Sequence, residues 1–292
     1  MKLYTLLNTA LNKIEDSLSA NPTSDQISDS LFISSVHLQR LFKNAFGTTI
    51  ANYIRSRRLA MSLDKLYNSD SSILDIAVEY GFGYAQSYIR AFKQEFNLTP
   101  GAARSTRQIV KIKPPLQLFL SNKLADGLLF GPEIVYVPGF FCVGRRHIID
   151  GDSIKTPAWL ARDFWLNDKW HIPNLTNPSV YLGLTRFPGE PAGYTFYIPS
   201  VYTANLSDVP EGFEGNTVPS CLCARFRYIG EHHYMDIDAE IAQGMYRAVI
   251  KFQNDDEKYG LFRYGIYFEK IDTSAYDGKY CIMEWFSPVY EK

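Results

Sequence analysis

A seven-residue motif occurs twice in the first hundred residues, and this repeat constrains the fold more than any other feature of the sequence. Arg40–Phe46 reads Arg-Leu-Phe-Lys-Asn-Ala-Phe, and Arg90–Phe96, fifty residues later, reads Arg-Ala-Phe-Lys-Gln-Glu-Phe. Each copy follows a short segment that begins with a capping signal and ends in a turn. A short helix, a turn and a longer helix, present twice, describe two helix-turn-helix units joined by a connecting helix. A helical bundle with a coincidental Phe-Lys-x-x-Phe spacing is the alternative.

Helical signals continue on both sides of the motif. Apolar residues at spacings of three and four between Leu3 and Leu18 form the stripe of a core-facing helix. Further helices are predicted over Thr23–Ser30, Ser34–Phe46, Thr49–Tyr67, Ser72–Gly81 and Tyr84–Phe96. The first domain is therefore predicted to be all-α.

Two of these helices present the same polar chemistry on one face. The candidate base-contacting residues are Ser35, Val36, Gln39 and Arg40 on the first helix, and Gln86, Ser87 and Arg90 on the second. Glutamine can pair with adenine and arginine with guanine through two hydrogen bonds. Because nearby basic residues hold phosphates, Arg55 and Arg57 on the connecting helix complete the predicted DNA-binding set. Each polar residue alone fits an ordinary solvated face, and only the recurrence of the face favours DNA readout.

Charge is divided unevenly along the chain. Residues 1–115 contain 14 basic and 9 acidic residues, a net charge of +5, and the remainder carries 16 and 22, a net of −6. This division indicates a basic module that meets a polyanion and an acidic module with another task. With 46% hydrophobic and 21% charged residues, wholesale disorder is excluded. No run approaches the ~20 apolar residues of a membrane span, and four cysteines in 292 residues make no disulfide framework. A cytoplasmic protein is expected.

Several motifs, in order and at matching separations, resemble the AraC/XylS transcription regulators, most closely the branch containing MarA, SoxS and Rob. They are Val36–Lys43, Tyr53–Leu59, Ile73–Phe82 and Phe92–Pro100, within a match over about residues 5–105. The resemblance implies a bipartite DNA-binding domain whose two recognition helices enter successive major grooves of double-stranded DNA. It also implies contact with RNA polymerase and a role as an activator. The base-contacting roles carry over to the seven residues of the two helix faces.

Three positions depart from that branch. Val36 and Ala85 stand where the branch has Trp and Gln, which removes contacts and predicts a different target sequence. Phe32 occupies a position in the first turn that is often Gly. Because a bulky residue rarely tolerates φ > 0, we expect this turn to take a different shape.

After Pro114-Pro115 the sequence takes on a strand-like texture. Alternating β-branched and aromatic runs predict strands at Ile134–Val137, Val180–Thr185, Tyr194–Ile198, Leu222–Tyr228, Leu261–Phe268 and Tyr280–Phe286. Two helical segments, Pro157–Trp170 and Ile237–Phe252, interrupt them. The predicted architecture is a multidomain chain: DNA-binding domain at 1–110, linker at 111–131, and an α+β domain of two similar halves at 132–292.

One acidic residue in the last strand raises the question of a binding site. Alternation places Glu284 on the same face as Ile282 and Phe286, where an unpaired carboxylate is costly. It can reach solvent at an edge strand or form a structural pair with Arg225 or Arg227. It can equally be the carboxylate of an aromatic pocket for a cationic or hydrogen-bond-donating small molecule.

The second domain resembles the GyrI-like effector-binding domains. The similarity rests on Val143-Gly144-Arg145, Phe164-Trp165, Tyr181–Leu184, Phe196-Tyr197 and the terminal Glu284-x-x-x-Pro288. It implies two pseudo-repeated halves around a groove for amphiphilic, cationic or drug-like molecules, with Glu284 as the ligand carboxylate. Placement on strands and helices adds Trp165, Tyr181, Phe196, Tyr197 and Tyr264 as candidate lining residues. Some relatives of this domain are hydrolases.

Other chemistry has little local support. Cys221-x-Cys223 followed by His232-His233 has metal-binding atoms, but two residues is not the usual zinc spacing, so no metal or other cofactor is predicted. No Ser-His-Asp arrangement, P-loop or Rossmann fingerprint is present. The sequence thus predicts a DNA-binding regulator with a small-molecule-binding domain, and not an enzyme. The alternative is a small-molecule hydrolase or drug-sequestering protein with a DNA-tethering module.

Overall fold

The chain forms two compact units, Met1–Phe119 and Leu120–Lys292. The structure, a computed structural model, describes residues 3–119, 122–149, 156–186, 194–262 and 266–292. The first unit is helical and the second is rich in strands, so the chain is multidomain as predicted.

The helices of the first unit follow the predicted order. They are α1 (Leu3–Ser17), α2 (Ser24–Asp29), α3 (Ser35–Phe46), α4 (Ile50–Asn68), α5 (Ile73–Glu79), α6 (Ala85–Phe96) and α7 (Pro100–Thr106). The capping signals that begin α2 and α5 are both capping boxes. Thr23 Oγ1 accepts from Gln26 N at 3.2 Å, and Ser72 Oγ accepts from Asp75 N at 3.1 Å. These caps satisfy backbone donors that a helix start leaves unpaired.

The repeated motif recurs in three dimensions because its apolar residues build the same packing twice. Phe42 and Phe92 are completely buried, and each packs against the phenylalanine four residues later. The ring centroids lie 4.8 Å apart for Phe42 and Phe46, and 4.7 Å apart for Phe92 and Phe96. The side chains at these positions fix how α3 and α6 are rotated about their axes.

The turn between α2 and α3 differs from the prediction. Phe32 has a φ of 57° and adopts the left-handed conformation, so the expectation that this residue forces another turn shape is wrong. The ring is 95% exposed, so no packing clash opposes the conformation, which costs only local backbone energy.

Residues 108–118, here called the docked segment, pack against the first unit. Lys113 Nζ lies 2.8 Å from Glu95 Oε1 of α6, and the Leu116 amide donates to Tyr53 Oη of α4 at 3.0 Å. The carbonyl of the buried Leu118 accepts from a tyrosine of α1 at 3.2 Å. The first part of the predicted linker therefore belongs to the helical unit.

The second unit is built on one large antiparallel sheet. Its strands are β1 (Lys123–Leu124), β2 (Gly127–Val137), β3 (Phe140–Gly144), β4 (His147–Ile149), β5 (Val180–Arg186), β6 (Thr195–Thr203), β7 (Glu214–Val218), β8 (Cys221–Gly230), β9 (Tyr259–Leu261), β10 (Ile266–Asp272) and β11 (Cys281–Glu291). In the described residues the order is β1-β2-β8-β11-β10-β5-β6-β3-β7, with β4 beside β6 and β9 beside β11. The sheet starts at Lys123, before the predicted boundary at 132.

Two helices cover one face of this sheet. They are α8 (Pro157–Asp163), continued by one wider turn to Asp168, and α9 (Ala239–Asp255). Met245 and Val249 of α9 pack with Tyr181 and Phe226 of the sheet in one buried cluster. The other face carries a separate apolar cluster, built around Leu182, that consists of strand residues alone. Within the described part of the chain, no helix is long and apolar enough to cross a bilayer.

Removing one cap tests the helix assignment. We expect Ser72→Ala to destabilise α5 by about 1 kcal/mol, because an N-cap side chain satisfies a backbone donor. The amides of α5 then exchange with solvent about fivefold faster in native-state hydrogen exchange of the full chain. Ser71→Ala, one residue earlier and outside the cap, is the control. Equal exchange rates in the two variants would contradict the assignment.

Candidate DNA-binding surface and ligand cavity

The exposed face of α3 contains the residues that the sequence analysis selected. The Ser34 hydroxyl caps the helix, so its first turn is ordered up to the exposed end. Val36 is 80% exposed and Gln39 is exposed, while Ser35 and Arg40 are half-buried. The face thus presents an apolar side chain and an amide beside a guanidinium, a combination that can meet base edges in a major groove.

The Gln39 side chain is held in place by two hydroxyl groups. Its Nε2 donates to Ser35 Oγ at 3.0 Å and to Ser24 Oγ at 3.1 Å. The second bond joins the exposed face of α3 to the start of α2. Partial burial lowers the pKa of Arg40, which as a guanidinium remains charged at neutral pH.

The corresponding face of α6 is more open. Gln86, Ser87 and Arg90 are all exposed, whereas Tyr88 and Phe92 on the opposite side are completely buried. The structure therefore brings the predicted residues of each helix to one surface. Their contact with DNA stays a prediction.

The two arginines predicted as phosphate contacts differ. Arg55 is exposed and donates to the side chain of Asn52. Arg57 forms a bidentate ion pair with Glu15 of α1, with Nε and Nη2 at 2.9 and 3.0 Å from the two carboxylate oxygens. Tyr53 Oη donates to the same carboxylate at 2.5 Å.

This pair gives Arg57 a role within the fold, and its contact with phosphate stays a prediction. Burial raises the pKa of Glu15, but hydrogen bonds from Arg57 and Tyr53 outweigh that effect and hold the pKa below its usual value. The bonds to Glu15 raise the pKa of Arg57, so the charged pair is stable at neutral pH. The guanidinium is occupied in joining α1 to α4, and the sequence could not show which acidic residue would lie beside it.

In the second unit, a cavity opens between α8, the start of α9 and the sheet. Its volume is about 60 Å³. Aromatic and aliphatic side chains form most of the wall. Its sides are formed by Ala161, Trp165, Tyr181, Tyr197, Tyr234, Met235, Ile237 and Ile271.

One polar group that lines this cavity is a carboxylate that the sequence analysis did not select. Glu269, on β10, accepts a hydrogen bond from Tyr197 Oη. The hydroxyls of Tyr197 and Tyr181 lie 2.6 Å apart. Because the Tyr197 proton points to the carboxylate, Tyr181 donates to Tyr197, and the three groups form one directed chain.

Burial changes the proton affinity of all three groups. It raises the pKa of Glu269 to about 7, although the bond from Tyr197 opposes the increase. Burial, and then the nearby Glu269 charge, raise the pKa of Tyr181 and Tyr197 well above the ordinary value, so both phenols keep their protons. A carboxyl group whose pKa lies near neutral pH, in an aromatic cavity, can bind a cation or a hydrogen-bond donor when it is ionised.

A glycine of β5 makes space for the carboxylate. Gly183 lies opposite Glu269 across the strand pair. A Cβ atom on Gly183 would lie 2.4 Å from Glu269 Oε1 and 2.7 Å from Tyr197 Oη, closer than atoms approach. A glycine at this register position therefore leaves room for the hydrogen-bonded chain.

The rim of the cavity carries charge of both signs, from the exposed Arg162 of α8 and from Asp238, the N-cap of α9. Near its wall, Lys169 Nζ lies 3.3 Å from the ring centroid of Trp165 and donates to a backbone carbonyl. This contact holds the indole against the helix end, since a cation over an aromatic face is favourable.

Glu284, the predicted ligand carboxylate, lies on the other face of the sheet. It faces Lys270 and Arg227 across the neighbouring strands. Its oxygens lie 3.2 Å from Arg225 Nη1 and 3.1 Å from Lys270 Nζ. The structural ion pair, left open by the sequence, is the arrangement observed, and the prediction of Glu284 as a cavity residue is wrong.

Of the other residues predicted to line the cavity, three do so and one does not. Trp165, Tyr181 and Tyr197 line the cavity. Phe196 points away from it, because neighbouring strand residues face opposite sides, and its ring lies beside Tyr194 and under Arg146. Tyr264 lies outside the described residues.

A usable signal for Glu269 was present in the sequence. On β10 it alternates with Tyr267 and Ile271, the same pattern of a carboxylate on an apolar face that drew attention to Glu284. The cysteines are less informative. Cys221 and Cys223 Sγ atoms lie 3.5 Å apart, and the described residues contain no cluster of three metal-ligating side chains.

The raised pKa of Glu269 predicts how stability depends on pH. The folded pKa lies above the unfolded one, so the folded state binds more protons between about pH 4.5 and about pH 7. Stability therefore falls as the pH rises through this range, and Glu269→Gln removes that fall. Thermal unfolding followed by tryptophan fluorescence measures it, because all four tryptophans lie in the second unit.

Glu284→Gln is the matched control, since it replaces the other strand carboxylate. It should retain the decrease with pH. If wild type and Glu269→Gln show the same pH dependence, Glu269 is not the buried titrating group.

Comparison with known proteins extends the description of the first unit. A family model described as a helix-turn-helix domain matches residues 27–106. The chain is 40% identical over 101 residues to the probable transcription factor PqrA of Proteus vulgaris, covering 34% of this chain and 83% of PqrA. It is 36% identical over 100 residues to the multiple antibiotic resistance protein MarA of Escherichia coli, covering 34% and 79%.

The similarity to a longer relative is also restricted to about a third of this chain. The transcriptional regulator Rob of Salmonella typhimurium is 41% identical over 96 residues, 32% of this chain and 33% of Rob. The similarity to Rob thus spans only a third of either protein. PqrA and MarA, in contrast, are matched over most of their length, and the predicted family is confirmed. The chain belongs to the AraC/XylS family, in the branch that contains MarA, SoxS and Rob, and is a DNA-binding transcription regulator.

Proposed function

We propose that this regulator responds to a small molecule, which binds the cavity of the second unit at Glu269. The observation that carries the proposal is a half-buried carboxylate that lines an aromatic cavity, in a hydrogen-bonded chain that a glycine opposite leaves room for. Such a group costs free energy in the empty protein unless a ligand compensates for its burial. We further propose that α3 and α6 read successive major grooves and that the protein activates transcription through RNA polymerase.

The DNA-binding proposal rests on the two exposed faces and on the first unit's positive charge. Two helices in one chain, each presenting a glutamine and an arginine, can contact half-sites about one helical turn apart without a dimer. Selection from a randomised duplex pool by full-length protein, across a salt series, tests this. A bipartite sequence with a steep salt dependence supports the proposal. Weak, unselective binding that disappears near physiological salt overturns it.

One substitution examines the readout by α6. Arg90→Ala should weaken binding to the selected duplex about five- to one-hundred-fold, because a bidentate contact to guanine is lost. Binding to unrelated duplex should fall much less. Fluorescence anisotropy measures both, with Arg162→Ala, an exposed arginine of the second unit, as control. If Arg90→Ala weakens both duplexes equally, the side chain contacts phosphate rather than a base.

The class of ligand follows from the cavity chemistry. An ionised carboxylate with tyrosine and tryptophan rings around it attracts an organic cation through charge and cation–π contact. The aliphatic wall formed by Met235, Ile237 and Ile271 accommodates an apolar body. We therefore propose an amphiphilic molecule with a cationic or hydrogen-bond-donating end.

Phenyltrimethylammonium is a suitable probe, since tert-butylbenzene is its neutral isostere. We expect the wild-type protein to bind the cation more tightly than the isostere. As the pH increases towards 7, the affinity for the cation should increase about tenfold per pH unit, because Glu269 ionises, and it should stay constant above pH 7. Glu269→Gln should abolish the preference and the pH dependence, and Glu284→Gln should preserve both. Calorimetric titration measures the affinities. Equal binding of cation and isostere by wild type would exclude Glu269 as a cation site.

The matched relatives are regulators, which are not enzymes, and a hydrolase with a DNA-tethering module is the competing proposal for the second unit. The same Glu269→Gln variant separates the two. A hydrolase turns over a phenyl ester and loses this turnover in the variant, whereas a sensor shows no turnover and loses only binding. Run-off transcription from the selected operator, with and without the probe, tests the activator role.

A further inference from the structure

The turn that precedes α3 contains a residue poorly suited to its backbone conformation. Phe32 has a φ of 57°, in the left-handed region where a β-carbon is crowded. Its side chain is 95% exposed, so it buries almost nothing within the fold. A phenylalanine here therefore costs local conformational energy and apolar exposure, with no packing in return.

The second helix-turn-helix unit shows what the same turn ordinarily uses. The first turn is closed by Phe32 N to Asp29 O at 3.1 Å and Ile33 N to Ser28 O at 3.2 Å. The second is closed by Gly81 N to Val78 O at 3.0 Å and Phe82 N to Ala77 O at 2.8 Å. Phe32 and Gly81 thus hold the same position, and Gly81 has a φ of 75°. Glycine is the usual residue at such a helix end because it has no β-carbon.

The position of Phe32 in the chain, just before α3, indicates which kind of surface its side chain meets. It lies in the turn just ahead of α3, whose first helical turn carries Val36, itself 80% exposed. The N-terminal residues of a recognition helix are those that reach base edges. The second helix-turn-helix unit likewise has an exposed aromatic residue immediately before α6, since Tyr84 is 73% exposed. Both candidate recognition helices therefore have apolar side chains at the end that enters the groove.

We propose that Phe32 is a specificity-determining residue, which together with Val36 binds the 5-methyl groups of thymines in the major groove. The thymine methyl is the apolar group on the major-groove edge of the bases. The exposed ring would be buried there when the complex forms, so the unfavourable turn is compensated in the complex. This inference rests on the proposed placement of α3 in the major groove. It adds that the first half-site prefers thymine next to Phe32.

The test uses the duplex selected by the full-length protein, with each thymine replaced in turn by deoxyuridine, which lacks only the methyl group. We expect wild type to lose about fourfold in affinity at one or two thymines of one half-site, as expected for one buried methyl. Phe32→Gly should bind the unmodified duplex more weakly and lose less affinity than wild type when those thymines are replaced. Fluorescence anisotropy gives the dissociation constants for this cycle of protein and DNA changes.

Hydrogen exchange of the variants distinguishes a lost DNA contact from a destabilised fold. Phe32→Gly should not lower the protection of α2 and α3 amides in hydrogen exchange, because glycine adopts the required φ freely. Phe32→Asn, which also tolerates the left-handed region, should reproduce the loss of thymine sensitivity. Leu74→Ala, which removes an exposed apolar side chain from α5, is the matched control and should keep the wild-type pattern.

The outcomes are distinct. Phe32→Gly that binds as tightly as wild type, or that keeps the full deoxyuridine effect, overturns the inference and leaves the exposed ring to a protein partner. Wild-type protein that selects no duplex overturns the proposed function itself. Selection of a duplex whose affinity is indifferent to every thymine methyl overturns only the inference about Phe32.

Discussion

The burial of one side of each candidate recognition helix is the constraint on which the candidate DNA-binding surface depends. Leu38 and Phe42 on α3, and Tyr88 and Phe92 on α6, are excluded from solvent. With 3.6 residues per turn, fixing these side chains inward leaves Val36 and Gln39, and Gln86 and Arg90, on the outside. The packing of the core therefore decides which face of each helix is exposed, and hydrogen bonds to Ser24 and Ser35 then hold the Gln39 side chain on that face.

The first unit also has bonds that hold its parts at fixed positions. Arg57 joins α1 to α4 through Glu15, and the buried Arg58 donates to the Leu18 carbonyl and to Asn21. Its guanidinium lies against the turn at Gly81, where a β-carbon would approach within 3.1 Å. Arg57 and Arg58 therefore stabilise the fold through their contacts inside the first unit, although the sequence does not distinguish them from exposed arginines. The docked segment adds further contacts to α1, α4 and α6 before the chain enters the second unit.

In the second unit the alternation of strand side chains separates two carboxylates that are similar in sequence. Glu269 is opposite Trp285, on the face covered by the helices, while Glu284 is opposite Lys270, on the face without them. One carboxylate has tyrosine hydroxyls near it and the other has basic groups. Burial raises the proton affinity of Glu269 although Tyr197 donates a hydrogen bond to it, and a carboxylate surrounded by cations is suited to a structural role.

The sequence by itself determined the helix-turn-helix repeat, its caps, the exposed faces and the family, because these depend on residues close together in the chain. Local hydrogen bonds such as Thr23 with Gln26 form wherever that segment is helical. The tertiary structure decided what each charged group meets. Whether Arg57 finds Glu15, and whether Glu269 or Glu284 faces the helices, depends on strand pairing and helix packing between distant segments. A one-residue difference in register reverses which face a strand residue occupies, and no local pattern encodes the partner strand.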